Sequence, residues 1–472
     1  MKKKIYIKVL LASFILGSFM LSCDVLDQPY HMGYDADAIF SDPEKIRSAA
    51  IGMYDAFQSA EFLGGRAQIY ADIRGMDVNP ASYFGAVSTH DGTLTSSNGI
   101  VQNAWTGAYR TLFEINLFLE NIAANPGVTS AAEEQRFIAE AKFLRAAVYF
   151  YALNLWGQQY TKDGTNLGVP LVLRSFDGGN AFSDEAKTPR STVDEVYNQI
   201  IKDLGEALGL PSKLDDAYEN ISRANANAVN AFLSRVYLYR KQYGEAIAAA
   251  NAVSGYDLEA NVATGVFAFP PPTDNKEIIF FVAMSSTDNP NTNNALGQHY
   301  GADYRGDITV SSNFLNLFEP DDTRLTLLKQ KGSSYYCDKY ANGSYNWAPF
   351  IRYAEVLLNK AEALAQQNSG VSAEAVTIIN RIRTRSNASV KQTSDFTTKA
   401  ELIEFILAER RRELAFEGHG SFDLFRNGKG IDAGRATALA AAIPYPSNLF
   451  ALPIPQADIT KAPGILEQNP GY

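Results

Sequence analysis

Apolar residues recur at helical spacing through most of this chain, and that periodicity restricts it to a fold built mainly from packed helices. Gln102 to Asn125 repeats apolar positions at that spacing and stops at Pro126-Gly127, a helix-ending dipeptide. Ala131 to Trp156 reads as one long helix closed by Gly157. Pro43 to Gln58 is amphipathic, with Ser41 or Asp42 as N-cap. Thr192 to Leu208 follows Pro189-Arg190-Ser191, which predicts a helix capped by Ser191.

Ala224–Arg240 and Tyr243–Val253 then form a close pair. Leu233-Ser234 and Tyr237, followed by Ala246 and Ala250, make a degenerate tetratricopeptide pattern, with serine for the usual glycine and alanine for the usual phenylalanine. Small residues let antiparallel helices approach, and Tyr237 and Tyr243 are expected to fill the space between pairs. Ile351–Gln367 and Ala373–Arg385 repeat the layout with a longer turn. Generic helical packing gives similar spacings. The expected fold is mostly α: tetratricopeptide-like helix pairs packed against an irregular, loop-rich region with few short strands. Its scaffold covers about 40–60, 102–254 and 350–426.

Two stretches break the helical character, about 60–101 and 255–348. Both are rich in Gly, Ser, Thr, Asn and Asp, yet carry many aromatics, and the second holds Pro270-Pro271-Pro272 and a strand-like Ile278–Ala283. Long loops of this kind inside a folded chain are usually functional, and the aromatics argue against disorder. Periodicity assigns the following to no core: Tyr83 and Phe84 in the first stretch, and Tyr300, Tyr304, Tyr335, Tyr336, Tyr345 and Trp347 in the second. Arg74, Asp77, Asn79, Arg305 and Asp307 lie among them as candidate partners for ligand hydroxyls. Trp105 starts a helical repeat with Tyr109, Leu112 and Asn116 and is assigned to the core. Tyr83 and Trp347 are the expected anchors, because binding energy concentrates in a few central aromatics.

The first residues read as an export signal. Lys2, Lys3, Lys4 and Lys8 precede a short apolar run from Val9 to Leu21, then Ser22-Cys23. Such a run is short for a membrane span, and its end on cysteine resembles a lipobox, loosely matched by Met20-Leu21-Ser22-Cys23. The expectation is a signal peptide over 1–22 and a lipid on Cys23. Loss of 1–22 moves the formal charge from −10 to −14, since that stretch holds four lysines and no acid. A chain this acidic has no electrostatic case for nucleic acid. With Cys23 acylated, Cys337 has no cysteine to pair with. The absence of a long linker makes 23–472 a single domain, large enough to bury a core without staples.

Catalytic signatures are missing from the sequence. His31, His90, His299 and His419 fall in no metal-ligand spacing, and neither a nucleophile elbow nor a P-loop occurs. Gly428-Lys429-Gly430-Ile431-Asp432-Ala433-Gly434 has one residue too many for a dinucleotide loop and reads as a turn. Asp215-Asp216 and Asp321-Asp322 are adjacent acids, which says nothing of two carboxylates opposed across a glycosidic bond. No enzyme activity, cofactor or metal is expected.

Four ordered stretches resemble the SusD/RagB family. Glu140-Ala141-Lys142-Phe143-Leu144-Arg145-Ala146 continues to Tyr149-Phe150, Trp156-Gly157 and Gly168-Val169-Pro170-Leu171. Arg352-Tyr353-Ala354-Glu355-Val356-Leu357-Leu358 leads through Ala361-Glu362-Ala363 to Asn380, Arg383 and Arg385. Glu409-Arg410-Arg411-Arg412-Glu413-Leu414-Ala415-Phe416-Glu417-Gly418-His419 leads to Phe422-Asp423-Leu424 and Arg426, and Leu452-Pro453-Ile454-Pro455 precedes Gln468-Asn469-Pro470-Gly471-Tyr472. After Gly418-His419 the family usually carries a basic residue and a bulky aromatic, where this chain has Gly420-Ser421. The charged residues of these motifs sit on helices with apolar faces, so they are expected to form ion pairs between elements.

The resemblance implies a surface-exposed, lipid-anchored outer-membrane lipoprotein that binds oligosaccharide and delivers it to a SusC-type TonB-dependent transporter, without catalysis. Some members carry peptides instead, and a tetratricopeptide scaffold that binds only protein partners is a further alternative. That scaffold would use a helical groove and leave residues 60–101 and 255–348 without a specific role.

Overall fold

The computed structural model describes residues 36–160, 164–176, 183–432 and 442–472. The expected signal peptide and Cys23 lie outside the described residues. Helix α1 (Pro43–Phe57) is capped by Asp42, whose carboxylate accepts from the Glu44 amide at 2.9 Å. Helix α2 (Arg66–Ile73) is buried along its whole length. It corrects the expectation of a loop over 60–101, and its lack of a polar face explains why no period marked it. Helices α3 (Gly99–Ala124) and α4 (Ala131–Trp156) follow, the second held by a reciprocal cap of Ser130 with Glu133. Helix α5 (Val193–Ala207) is capped by Thr192, not Ser191, because Glu195 stands three residues after the threonine and returns the bond.

Helices α6 (Ala226–Tyr239) and α7 (Tyr243–Ala252) form the expected pair, as do α8 (Tyr353–Gln367) and α9 (Ala373–Arg385). Helix α10 (Lys399–Leu414) packs on α8, and α11 (Gly420–Arg426) packs on α2. Neighbours run in chain order, α3 on α4, α4 on α5, α6 on α7, and α7 on α8. Leu238, Ala246 and Ala363 meet at the seam between the pairs, with Tyr237 and Tyr243 packed against them. The buried Ser234 sits there as well and accepts from Asn359 Nδ2 at 3.0 Å. No helix among the described residues is long and apolar enough to cross a membrane.

The strands are short: β1 (Val78–Pro80), β2 (Leu167–Pro170), β3 (Arg190–Thr192), β4 (Ile278–Val282), β5 (Ile308–Val310), β6 (Leu328–Lys331), β7 (Ser334–Cys337) and β8 (Ala348–Arg352). They pair as antiparallel ribbons, β1 with β5, β2 with β3, β4 with β8 and β6 with β7. Ile351, expected at the start of a helix, belongs to β8, and the scaffold helix begins at Tyr353. The β4–β8 ribbon carries Phe280 and Phe350 into an aromatic core with Phe57, Phe143 and Phe232.

A buried charge network fixes the irregular segments to the helices. Arg352 binds Glu277, Glu413 and Glu417, Arg324 binds Asp322, Glu409 and Glu413, and Lys339 binds Glu417 at 2.6 Å. Arg145 pairs with Asp203 of α5, Arg235 of α6 with Glu355 of α8, and Arg410 with Asp423. Burial opposes ionisation of Glu413, yet the guanidiniums of Arg385, Arg352 and Arg324 hold it well below the usual carboxylate range. The motif charges are thus scaffold, and Asp322, one of the adjacent acids, is spent on Arg324.

Gly420 stands at close quarters to α2. A Cβ there would stand 3.2 Å from the Asp72 Cα, and one on Gly75 would stand 2.9 Å from the Gly420 carbonyl carbon. Glycine at 420 therefore lets α11 approach α2 backbone to backbone.

Candidate functional site

The β1–β5 ribbon brings the two irregular stretches together, with Asn79 opposite Thr309. Tyr83 lies on the single 3-10 turn after β1 and is 41% exposed. His299 stacks on that ring at 6.0 Å and 18°. The guanidinium carbon of Arg305 is 5.1 Å from the ring centroid and that of Arg66 is 5.3 Å away. Arg66 Nη2 donates to the Tyr83 hydroxyl at 2.8 Å, and its Nε donates to Asn294 Oδ1 at 2.6 Å. Arg305 is tethered by Asp307 Oδ2 at 2.7 Å and Asn293 Oδ1 at 2.6 Å, while His299 Nδ1 stands 2.8 Å from the same Asp307 oxygen.

The result is a partly exposed aromatic ring held by polar side chains from three directions. Electron-rich ring faces attract the guanidiniums, which fixes the ring in place. Phe84 is buried beneath, edge-on to Tyr83 at 4.8 Å and to His299 at 5.0 Å. Tyr304, 42% exposed, continues the surface, its hydroxyl donating to the Ala341 carbonyl at 2.9 Å. Gly343 turns at φ +61° against that ring, where a Cβ would come within 2.7 Å, so only glycine serves both demands. Tyr336 of the β6–β7 hairpin abuts Gly306, next to Arg305, and Tyr335 is half-buried on the core.

Other expected contacts fall elsewhere. Arg74 is buried and donates to the carbonyls of Val87 at 2.8 Å, Leu449 at 2.9 Å and Phe450 at 3.1 Å, so it clamps the C-terminal segment and not a ligand. Burial lowers its pKa to about 10. Tyr300 is 1% exposed and donates to Asp72 Oδ2 at 2.9 Å. Asp77 is buried against Arg411. Phe84 supports Tyr83 from below. None of these four presents a free surface, because each polar or aromatic group is spent on the fold. Asn79 donates to the Val310 carbonyl at 3.4 Å from the edge of the ribbon. Tyr345 lies near Phe269, and Trp347 lies near Tyr218, its indole N–H donating to the Met284 carbonyl at 2.9 Å. Tyr83 and Trp347 thus keep separate company.

Arg66, Asn293, Asn294 and His299 join this cluster and are not among the residues singled out from the sequence. The asparagine-rich run 289–294 was a usable signal, whereas Arg66 follows Gly64-Gly65 with nothing local to mark it. Among the described residues no group of three or more His, Cys, Asp or Glu side chains is placed to hold a metal ion. Cys337 is buried, which pushes its thiol up to about 12 and leaves it unreactive.

Comparison with known proteins places this architecture. The SusD family model matches residues 318–472, and a model described as starch-binding associating with outer membrane matches residues 26–238. The chain is 25% identical to SusD-like protein P2 of Formosa agariphila, over 92% of this chain and 94% of that protein. It superposes on a putative sugar binding protein from Bacteroides vulgatus with a TM-score of 0.80 at 27% identity, covering 91% of this chain and 99% of the other. A laminarin binding SusD-like protein shares the fold with a TM-score of 0.71 at 21% identity, covering 91% and 100%. From the motif order, the two family models and the shared fold, the chain belongs to the SusD/RagB family.

Proposed function

We propose that this protein is a glycan-binding lipoprotein of the bacterial cell surface, anchored through Cys23, which captures an oligosaccharide and delivers it to a SusC-type TonB-dependent transporter. The observation that carries the reading is the exposed Tyr83 ring, fixed by Arg66, Arg305 and His299 on a rigid frame. The apolar C–H face of a pyranose packs on such a ring, and Arg305, Asp307 and Asn293 at its edge suit the sugar hydroxyls. The names of the sugar-binding and laminarin-binding relatives support a carbohydrate over a peptide. The protein acts by binding, without hydrolysis, and the acid beside the ring, Asp307, serves Arg305 and His299.

A glycan array probed with the purified protein tests the reading. Binding to a defined set of oligosaccharides, weakened by Tyr83→Ala and unaccompanied by shorter products, is the expected result. Binding to peptides alone, or release of shorter sugars abolished by an acid-to-amide change, would overturn it.

A further inference from the structure

His299 makes more contacts than a neutral imidazole has protons to fill. It lies on the short helix Leu296–Tyr300 with its side chain fully buried. Nδ1 stands 2.8 Å from Asp307 Oδ2, and Nε2 stands 2.7 Å from the Asn293 carbonyl oxygen. An ionised carboxylate and a carbonyl accept and cannot donate, whereas a neutral imidazole carries one N–H. One of the two contacts then sets a lone pair against a lone pair. A second proton on the ring turns both into hydrogen bonds.

Both partners of the imidazole also hold the guanidiniums that fix Tyr83. Asp307 Oδ2 accepts from Arg305 Nε at 2.7 Å, and the Asn293 side-chain oxygen accepts from Arg305 Nη1 at 2.6 Å. The Asn293 carbonyl accepts from Arg66 Nη2 as well. The ring of His299 itself stacks on Tyr83 and meets Phe84 edge-on. Burial opposes its proton first, and the Arg66 charge adds to that, while the Asn293 carbonyl and Asp307 favour it; the balance stands below the ordinary 6.5. The ring therefore gains its proton as pH falls below that value. Asp72, raised by burial to about 7, titrates nearby and reaches the same short helix through the Tyr300 hydroxyl.

We propose that His299 is the positioning residue of the Tyr83 surface and that a proton closes it: the imidazolium donates to Asp307 and Asn293 together, seating Arg305 and Arg66 on the Tyr83 ring, while the neutral imidazole holds one of the two and leaves the surface looser. Cargo is then held more tightly in mildly acid surroundings than at neutral pH. The effect on cargo rests on the reading of Tyr83 as the binding surface; the double donation does not.

The test has two arms. In the first, NMR of the unliganded protein labelled with ¹⁵N-histidine follows the His299 ring from pH 7.5 to pH 5, and the expected result is one N–H at the start and two at the end. This arm needs no variant and no cargo. In the second, calorimetry follows a neutral oligosaccharide selected on the array, which has no titrating group of its own. Its affinity should rise by about tenfold over the same range, the scale of one hydrogen bond to a charged group. The rise should vanish in His299→Gln, which has one amide to donate. It should vanish too in Asp307→Asn, whose amide can donate to Nδ1 and satisfy a neutral ring, and persist in Asp72→Asn. A His299 ring that does not titrate between pH 7.5 and pH 5, or an affinity that stays flat or falls on acidification, would overturn the proposal. The same pH step with peptide cargo and no sugar binding would uphold the clamp and overturn the glycan reading.

Discussion

Arg352 grips Glu417 with two bonds, Nε to Oε2 at 2.8 Å and Nη2 to Oε1 at 2.9 Å, and both side chains are buried. The pair joins the end of β8 to the turn that follows α10, and Lys339 of the irregular segment binds the same carboxylate. Removing the acid leaves two cations buried without it. Glu417→Ala is expected to cost about 3–5 kcal/mol of stability. Denaturant unfolding of the variant checks this, and a loss under about 1 kcal/mol would show that the network adds little.

The acid response should reveal His419. Burial first, then repulsion from Arg235 and Arg410, lowers its pKa to about 4 from the ordinary 6.5, although Glu355 pulls the other way. The unfolded chain therefore binds this proton before the native state does, and the stability held at neutral pH falls as pH drops from about 6.5 to about 4. Asp72, raised by burial to about 7, acts in the opposite sense over much of that window. The histidine contribution is isolated by comparing the wild type with His419→Gln at each pH. The stability gap between them should shift in the acid direction stated, and NMR should find the His419 ring neutral at pH values where a free imidazole is charged.

The proposed membrane attachment through Cys23 rests on the signal expected to end there. Cys23→Ala is expected to release the protein from outer-membrane fractions or to block its maturation. Fractionation and immunoblotting read the outcome, and a variant that stays bound and correctly processed would remove the anchor from the account.

Delivery to a transporter predicts a physical complex. Affinity purification from native membranes in mild detergent should recover a large β-barrel protein with this chain. Recovery of this chain alone would count against the delivery step.

The scaffold was legible because a helix that is apolar on one face and capped by local side chains writes both facts in sequence. Ala131–Trp156 and the Tyr237–Tyr243 seam were readable for this reason. Helix α2 was not, since burial on every side leaves no period to see. The candidate site was half legible. Tyr83, Tyr304 and Arg305 were visible as aromatics and charges outside any core pattern. Tyr300 and Arg74 were misjudged because their partners, Asp72 and the Leu449 and Phe450 carbonyls, lie hundreds of residues away. Arg66 reaches Tyr83 only through the packing of α2, which no local pattern announces.

The central claim is that the Tyr83 surface binds the cargo, and calorimetry with an oligosaccharide identified on the array tests it most directly. Tyr83→Ala, with an unchanged melting temperature, is predicted to lose about 1–3 kcal/mol of binding energy, the scale of stacking on a single aromatic ring. Unchanged affinity in Tyr83→Ala and Tyr304→Ala, with binding abolished by changes in the α6–α7 pair, would contradict the account and move the site to the helical face.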